Sequence, residues 1–233
     1  MKVEIHCRTH LHSPASEIAP VELVLMAEAA GYDALFFTDQ GNVWSKRDLH
    51  KLSEHCEHLK LYSGIEVALP GGYEILVLGA DSPVYESLTS PHEIFAQACT
   101  DDYLTVLVHP PHLQNLPDVY RLADAIETRT VTHPRKEEED ALQAFADTHR
   151  MAPMYASDAD GLNYLNKFWI ETAVPFSTPQ EFRRLVIGGK YANRVRPLAP
   201  MHPPSMKVGV MADLADSDYA ALERMPRQES PFA

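Results

Sequence analysis

Residues 3–16 read V-E-I-H-C-R-T-H-L-H-S-P-A-S. Val3 and Ile5 alternate with Glu4 and His6, the period-two pattern of a strand that runs out at His6. His6, His10 and His12 then fall within seven positions, together with Cys7 and Arg8. Neutral imidazole is the commonest protein metal ligand. The stretch therefore reads either as the first cluster of a metal site or as a solvated, histidine-rich loop. The ends of later strands decide between them.

Outward from this stretch, a strand–helix rhythm repeats. Pro20 stands at a first helical position, Val21, Leu23, Val24, Met26, Ala27 and Ala30 recur at helical spacing, and Gly31 supplies the stop. A near-continuous apolar run at 34–38 has the composition of a parallel strand buried on both faces, and it ends at Asp39 and Gln40. Residues 46–58 read as a polar surface helix and 61–67 as the next strand, carrying Glu66. Pro70, Gly71 and Gly72 mark a turn, after which 73–78 returns as a strand; this pair is the one expected antiparallel hairpin. Further strands are expected at 104–108, 125–127, 154–156 and, last, 168–171, with helices at 91–99, 117–122, 136–149 and 179–186.

Such alternation indicates parallel βαβ units, and their number favours a barrel over an open sheet. In such barrels the C-terminal strand ends form the active face. His6, Asp39, Glu66, His109, Glu127 and Asp158 all fall at or just after a strand end. Taken singly, Asp39 and Asp158 read as turn residues, His109 as a helix cap and Glu127 as a surface glutamate. Taken together they read as one shared site.

With 233 residues, 45% of them hydrophobic, the chain fits one large domain with a substantial core. No apolar run reaches the length of a transmembrane helix and no signal-peptide pattern follows Met1, so a cytoplasmic location without a membrane partner is expected. Cys7, Cys56 and Cys99 are an odd, scattered set that suits a reducing compartment. The net charge of −13 argues against non-specific nucleic-acid binding, which uses positive charge to release counterions. Residues 183–196 carry Arg183, Arg184, Lys190, Arg194 and Arg196 with no acid among them, a basic surface patch or a phosphate-facing one. From Pro197 on, the chain turns to Pro, Met and Ala. The expected division is a barrel domain at 1–196 and a C-terminal extension at 197–233, packed on the barrel or partly flexible.

The ordered segments I-H-C-R-T, S-P-A-S, F-F-T-D-Q, G-I-E-V, L-V-H-P and S-D-A-D resemble the motifs of the PHP family, named for its polymerase and histidinol phosphatase members. The resemblance spans residues 2–191. It implies an α/β fold, a distorted (β/α)7 TIM-like barrel with up to three metals at its strand ends. Known members hydrolyse phosphomonoesters or phosphodiesters, and some are inactive appendages of DNA polymerases. His6 matches the first histidine of H-x-H, Glu66 the carboxylate bridging two metals, His109 the third-motif histidine and Asp158 the aspartate of S-D-x-H. Arg8 stands where the second histidine belongs, and Gln40 replaces the histidine of T-D-H beside a retained Asp39. Tyr73 takes a further histidine position, and Asp160 replaces the closing histidine.

With those ligands altered, the resemblance implies fewer than three divalent ions (Mn, Zn, Fe or Mg) on His6, Glu66, His109, Asp158 and Asp160. The implied activity is phosphoesterase hydrolysis of a small phosphorylated substrate by metal-activated water. Arg8, Asp39 and His109 are its expected catalytic groups, and Arg8 and Arg194 its phosphate-binding ones. A guanidinium has five donors in a fixed fork and keeps its proton. Arg8 can thus neutralise Glu66 and Asp158 in place of a metal, or turn to the cleft and grip a substrate phosphate. The first orientation leads to the alternative function, a catalytically inactive PHP-fold protein whose barrel serves binding or regulation. In either case His6, Glu66, His109 and Asp158 are expected to converge on one cleft.

Overall fold

The computed structural model describes residues 1–111, 113–132 and 136–196. The extension expected at 197–233 lies outside the described residues, as does His112. Within them the strands are β1 (Lys2–Cys7), β2 (Ala34–Phe37), β3 (Lys60–Leu69), β4 (Tyr73–Leu78), β5 (Leu104–Val108), β6 (Ala125–Arg129), β7 (Ala152–Tyr155), β8 (Phe168–Thr172) and β9 (Tyr191–Val195). The α-helices are α1 (Pro20–Ala29), α2 (Lys46–Ser53), α3 (Pro91–Asp101), α4 (Lys136–His149) and α5 (Pro179–Ile187). Local chemistry sets several boundaries. Proline occupies the first turn of α1, α3 and α5, where its missing N–H costs no hydrogen bond. Ser45 and Thr178 cap α2 and α5 by accepting from Asp48 N and Glu181 N. The segment expected as a helix at 117–122 is a 3₁₀ turn, Asp118–Leu122.

All nine strands join one sheet in the order β7-β6-β5-β4-β3-β2-β1-β8-β9. β1, β2, β3, β5, β6, β7 and β9 run one way; β4 and β8 run against them. The β3–β4 hairpin forms as expected, because Gly71 and Gly72 supply the left-handed φ values (88° and 77°) its turn requires. It is not the only antiparallel pairing: β4–β5, β1–β8 and β8–β9 are antiparallel as well. β8 is also not the last strand. β9 escaped the sequence pattern because its residues are half-buried or exposed and carry Asn193 and Arg194, so no apolar alternation marks it.

The two faces of the sheet bury different cores. Val3, Phe36, Leu76, Leu78, Val106, Ile170, Phe176 and Phe182 form the inner cluster. Ile65, Val67, Ile75, Val77, Leu107, Ile126, Ile94 and Ala146 form the outer one, against α3 and α4. Arg183 of α5 pairs with Asp102 and Asp124, which stand just before β5 and β6. That places α5 at the end of the barrel opposite the C-terminal strand ends. Between the terminal strands β7 and β9, side chains take over from the backbone ladder. Tyr155 N donates to Asn193 Oδ1 (3.0 Å), and Asn193 Nδ2 and the Tyr191 hydroxyl both donate to Pro153 O (2.8 Å each). Proline has no N–H to give a ladder, so its carbonyl is the one backbone group Pro153 offers to the seam, and two side chains donate to it. No helix among the described residues is long and apolar enough to cross a membrane.

Candidate active site

The C-terminal ends of β1, β3, β5, β6 and β7 bring His6, Glu66, His109, Glu127 and Asp158 together. His6 Nε2 lies 3.3 Å from Glu66 Oε1 and 3.4 Å from Asp158 Oδ1, while Nδ1 meets Glu127 Oε1 at 3.0 Å. The His6 and His109 rings stack with centroids 5.9 Å apart. His109 Nε2 is 3.8 Å from Glu66 Oε1. Both His109 (φ 25°) and Asp158 (φ 48°) hold a left-handed backbone. Non-glycine residues in that region cost about 1–3 kcal/mol each and cluster at functional sites.

Arg8 lies at the centre of this group and is only 7% exposed. Its Nε is 2.7 Å from Glu66 Oε2, its Nη2 2.9 Å from Asp158 Oδ1, and its Nη1 3.2 Å from Asp160 Oδ1. The Nε contact is coulombic, since neither atom makes an aligned hydrogen bond; Nη2 does donate to Glu66 Oε1 at 3.2 Å. Nη2 also comes within 3.3 Å of His6 Nε2, which accepts from it in the tautomer that carries its proton on Nδ1. Of the two orientations open to Arg8, the structure has the inward one.

The electrostatics follow from this packing. Burial opposes a charge on His6, but Glu127, Asp158 and Glu66 outweigh it and push its pKa well above the usual value. Burial likewise works against ionised Glu66 and Asp158, yet His6 and Arg8 hold both below the ordinary carboxylate range. Glu127 is different: burial dominates and raises it to about 7 despite His6. Burial and the neighbouring Glu66 raise Glu74 as well.

The remaining expected residues are placed as follows. Asp39 is fully buried and accepts from Thr9 N (2.6 Å), Ser13 Oγ (2.9 Å), Trp44 Nε1 (2.7 Å) and Thr9 Oγ1 (3.0 Å). It ties the loop after β1 to Trp44 and is in neither of the potential metal-ligand groups found among the described residues. Arg194 pairs with Glu171 at 2.7 Å on the exposed face of β8 and β9, apart from the mouth residues. The basic stretch at 183–196 is partly neutralised, because Arg183 and Arg184 both pair with Asp102. Tyr73 is in the outer core, its ring 4.4 Å from that of Tyr120. Its neighbour Glu74 is the residue at the mouth, with Oε2 3.3 Å from His109 Nδ1.

Sequence reasoning missed Glu74 by one position. The register of the hairpin explains the difference: antiparallel pairing sets Glu74 opposite Ala68 and Leu76 opposite Glu66, so positions 74 and 66 share a face and 73 does not.

Two groups could hold a divalent ion, with ligand atoms within 4.8 Å of one another: His6, His109 and Asp158, and Glu66, Glu74 and His109. A three-metal centre does not fit these residues. Arg8 already contacts Glu66, Asp158 and Asp160, and its charge is permanent. The Glu66, Glu74 and His109 group shares Glu66 with Arg8 and suits at most a single hard or intermediate cation. Beside it opens a cavity of about 320 Å³ lined by His109, Pro110, Leu113, Glu127, Arg129 and Leu142, among others.

No protein-family model matches the chain. An error-prone DNA polymerase of Aromatoleum aromaticum is 34% identical over 101 residues, which is 42% of this chain and 9% of that polymerase. A two-domain protein of Bacteroides vulgatus containing a predicted PHP-like metal-dependent phosphoesterase superimposes with TM-score 0.67 at 14% identity, covering 84% of this chain and 64% of that one. A lesion-specific endonuclease of Pyrococcus furiosus gives TM-score 0.52 at 14% identity over 83% of this chain and 57% of that one. The fold is that of the PHP-type barrels. It is a divergent example, with an arginine at the centre of its mouth.

Proposed function

We propose that this chain is a metal-dependent phosphoesterase with a reduced site, in which Arg8 substitutes for the central metals and one divalent ion binds Glu66, Glu74 and His109. Charge carries this reading. Arg8, His6 and His109 face Glu66, Glu74, Glu127, Asp158 and Asp160, so the mouth holds more acidic groups than basic ones. A phosphate ester entering such a site is repelled until a further cation is present, and the donors for that cation stand at the edge of the cavity.

When bound, the ion polarises a phosphoryl oxygen and lowers the pKa of a bound water. The chain's own residues prepare the site. Arg8 fixes the orientation of Glu66 through two contacts. Glu74 faces Nδ1 of His109 and Glu66 faces its Nε2, so the imidazole stands between the two carboxylates that would hold the ion with it. His6, clamped between Glu127, Glu66 and Asp158, favours the ionised forms of Glu66 and Asp158.

Equilibrium dialysis against Mn²⁺ with elemental analysis, followed by hydrolysis of p-nitrophenyl phosphate, tests the reading. We expect about one ion per chain, and Glu74→Gln and His109→Ala should each weaken it by about tenfold or more, the scale at which ligand-shell changes act. Three tightly held ions per chain would overturn the assignment of Arg8. The engagement of Arg8 by Glu66, Asp158 and Asp160 favours a second reading, a binding protein; Mn²⁺ uptake without turnover of any phosphate ester is its signature.

A further inference from the structure

The strand β6 places two unsatisfied atoms beside the cavity next to His109. Glu127 is 2% exposed and uses Oε1 on His6, while its Oε2 is buried with no hydrogen-bond partner. Two residues on, Arg129 lines the same cavity. Its guanidinium stacks 4.8 Å from the Phe168 ring and pairs with Glu139 at 3.4 Å, yet its Nε is also buried and unpartnered. The pairing of β6 with β7 is irregular between Glu127 and Arg129, yet both residues line this one cavity, so an orphan acceptor and an orphan donor border the same space. Around them Pro110, Pro111, Leu113, Ala141 and Leu142 form apolar walls. Buried polar groups are nearly always satisfied, and exceptions call for a ligand, a water or a function.

We propose that this cavity is the specificity pocket for the alcohol portion of the substrate, selecting phosphate esters whose leaving group carries an N–H or O–H donor for Glu127 Oε2 and an acceptor for Arg129 Nε. The inference rests on the phosphoesterase reading for the position of the phosphate, at His109, but the pocket itself is independent of any metal. An apolar slot with a few convergent polar groups is the usual form of a small-molecule site. A pocket built around a buried acceptor discriminates strongly, because an analogue without the donor leaves that acceptor unpaired. Purely apolar esters are therefore excluded, while a nucleobase edge and a sugar hydroxyl both meet the requirement.

The test uses the whole chain without metal, so that failure of the metal site does not affect it. Adenosine, glucose and toluene are titrated separately while the methyl NMR signals of Leu113 and Leu142 are followed. We expect adenosine or glucose to shift both signals and toluene to leave them in place; which of the first two acts identifies a base or a sugar as the donor. Glu127→Gln should weaken that binding by about tenfold or more, the loss expected when a buried hydrogen-bond pair is mismatched. Should that variant fail to fold, Arg129→Gln tests the same pocket from the donor side, with the same expected loss. Toluene binding as well as the polar probes, or no probe moving either signal, would overturn the proposal.

Discussion

Replacing Arg8 by histidine removes the charge that Glu66, Asp158 and Asp160 all contact. Breaking a buried ion pair by deleting one partner typically costs about 3–5 kcal/mol. Arg8→His should lower the melting temperature of the metal-free protein accordingly, and added Mn²⁺ should recover part of the loss; equal metal-free melts for the two proteins would remove Arg8 from its role. The pH dependence has a definite sign. Glu66 and Asp158 have depressed folded pKa values, so the stability they contribute is complete above their unfolded values, about 4, and is lost as pH falls through the folded ones. His6 is raised, so its contribution is complete below its unfolded value of about 6.5 and is lost as pH rises through the folded one. Denaturation midpoints should therefore peak between about pH 4 and 6.5 for these groups. In Arg8→Met the carboxylates lose their cation and shift upward, and the acid side of that peak should flatten.

At the scale of elements, β4 carries the most informative contrast. Tyr73 and Glu74 are neighbours that face opposite sides of one strand, the first in the outer core and the second at the mouth. Tyr73→Ala should cost about 3–5 kcal/mol, as truncation of a buried aromatic does. Glu74→Gln should leave the melt nearly unchanged and act on Mn²⁺ binding instead. A reversal of those two outcomes would mean that the register of the hairpin is wrong. The strands that could be read from sequence were those with apolar runs, such as β2 and β5, because burial on both faces leaves a compositional mark. β9 left none, being an edge element whose work is done by Asn193. The site was legible where a residue ended a strand, as His6, His109 and Asp158 do. It was not legible where a residue entered from the start of a reversed strand, as Glu74 does, because its position depends on pairing across a hairpin. Arg129 was likewise hidden, since nothing in A-I-E-T-R-T distinguishes an arginine beside a cavity from one in water.

For the whole molecule, closure depends on the seam between β7 and β9. Asn193 satisfies both Tyr155 N and Pro153 O, so one side chain replaces a pair of ladder hydrogen bonds. Asn193→Ala leaves a half-buried N–H without its acceptor, a loss of about 1–3 kcal/mol. Amide exchange at Tyr155 should accelerate while exchange in β3 and β4 stays slow; uniform acceleration across the sheet would mean that the seam is not a separate unit.

Arg8 also changes how this barrel relates to its surroundings. A protein whose mouth is held by bound ions is stabilised through mass action, gaining RT ln(1 + [L]/Kd), so its folded fraction rises and falls with supply. Here the central cation is part of the polypeptide and cannot be diluted, chelated or exchanged. The inner mouth therefore needs no ion to form, and a chelator should lower the unfolding midpoint only by what a single ion on Glu66, Glu74 and His109 contributes. Only the outer group of Glu66, Glu74 and His109 remains open to the composition of the medium.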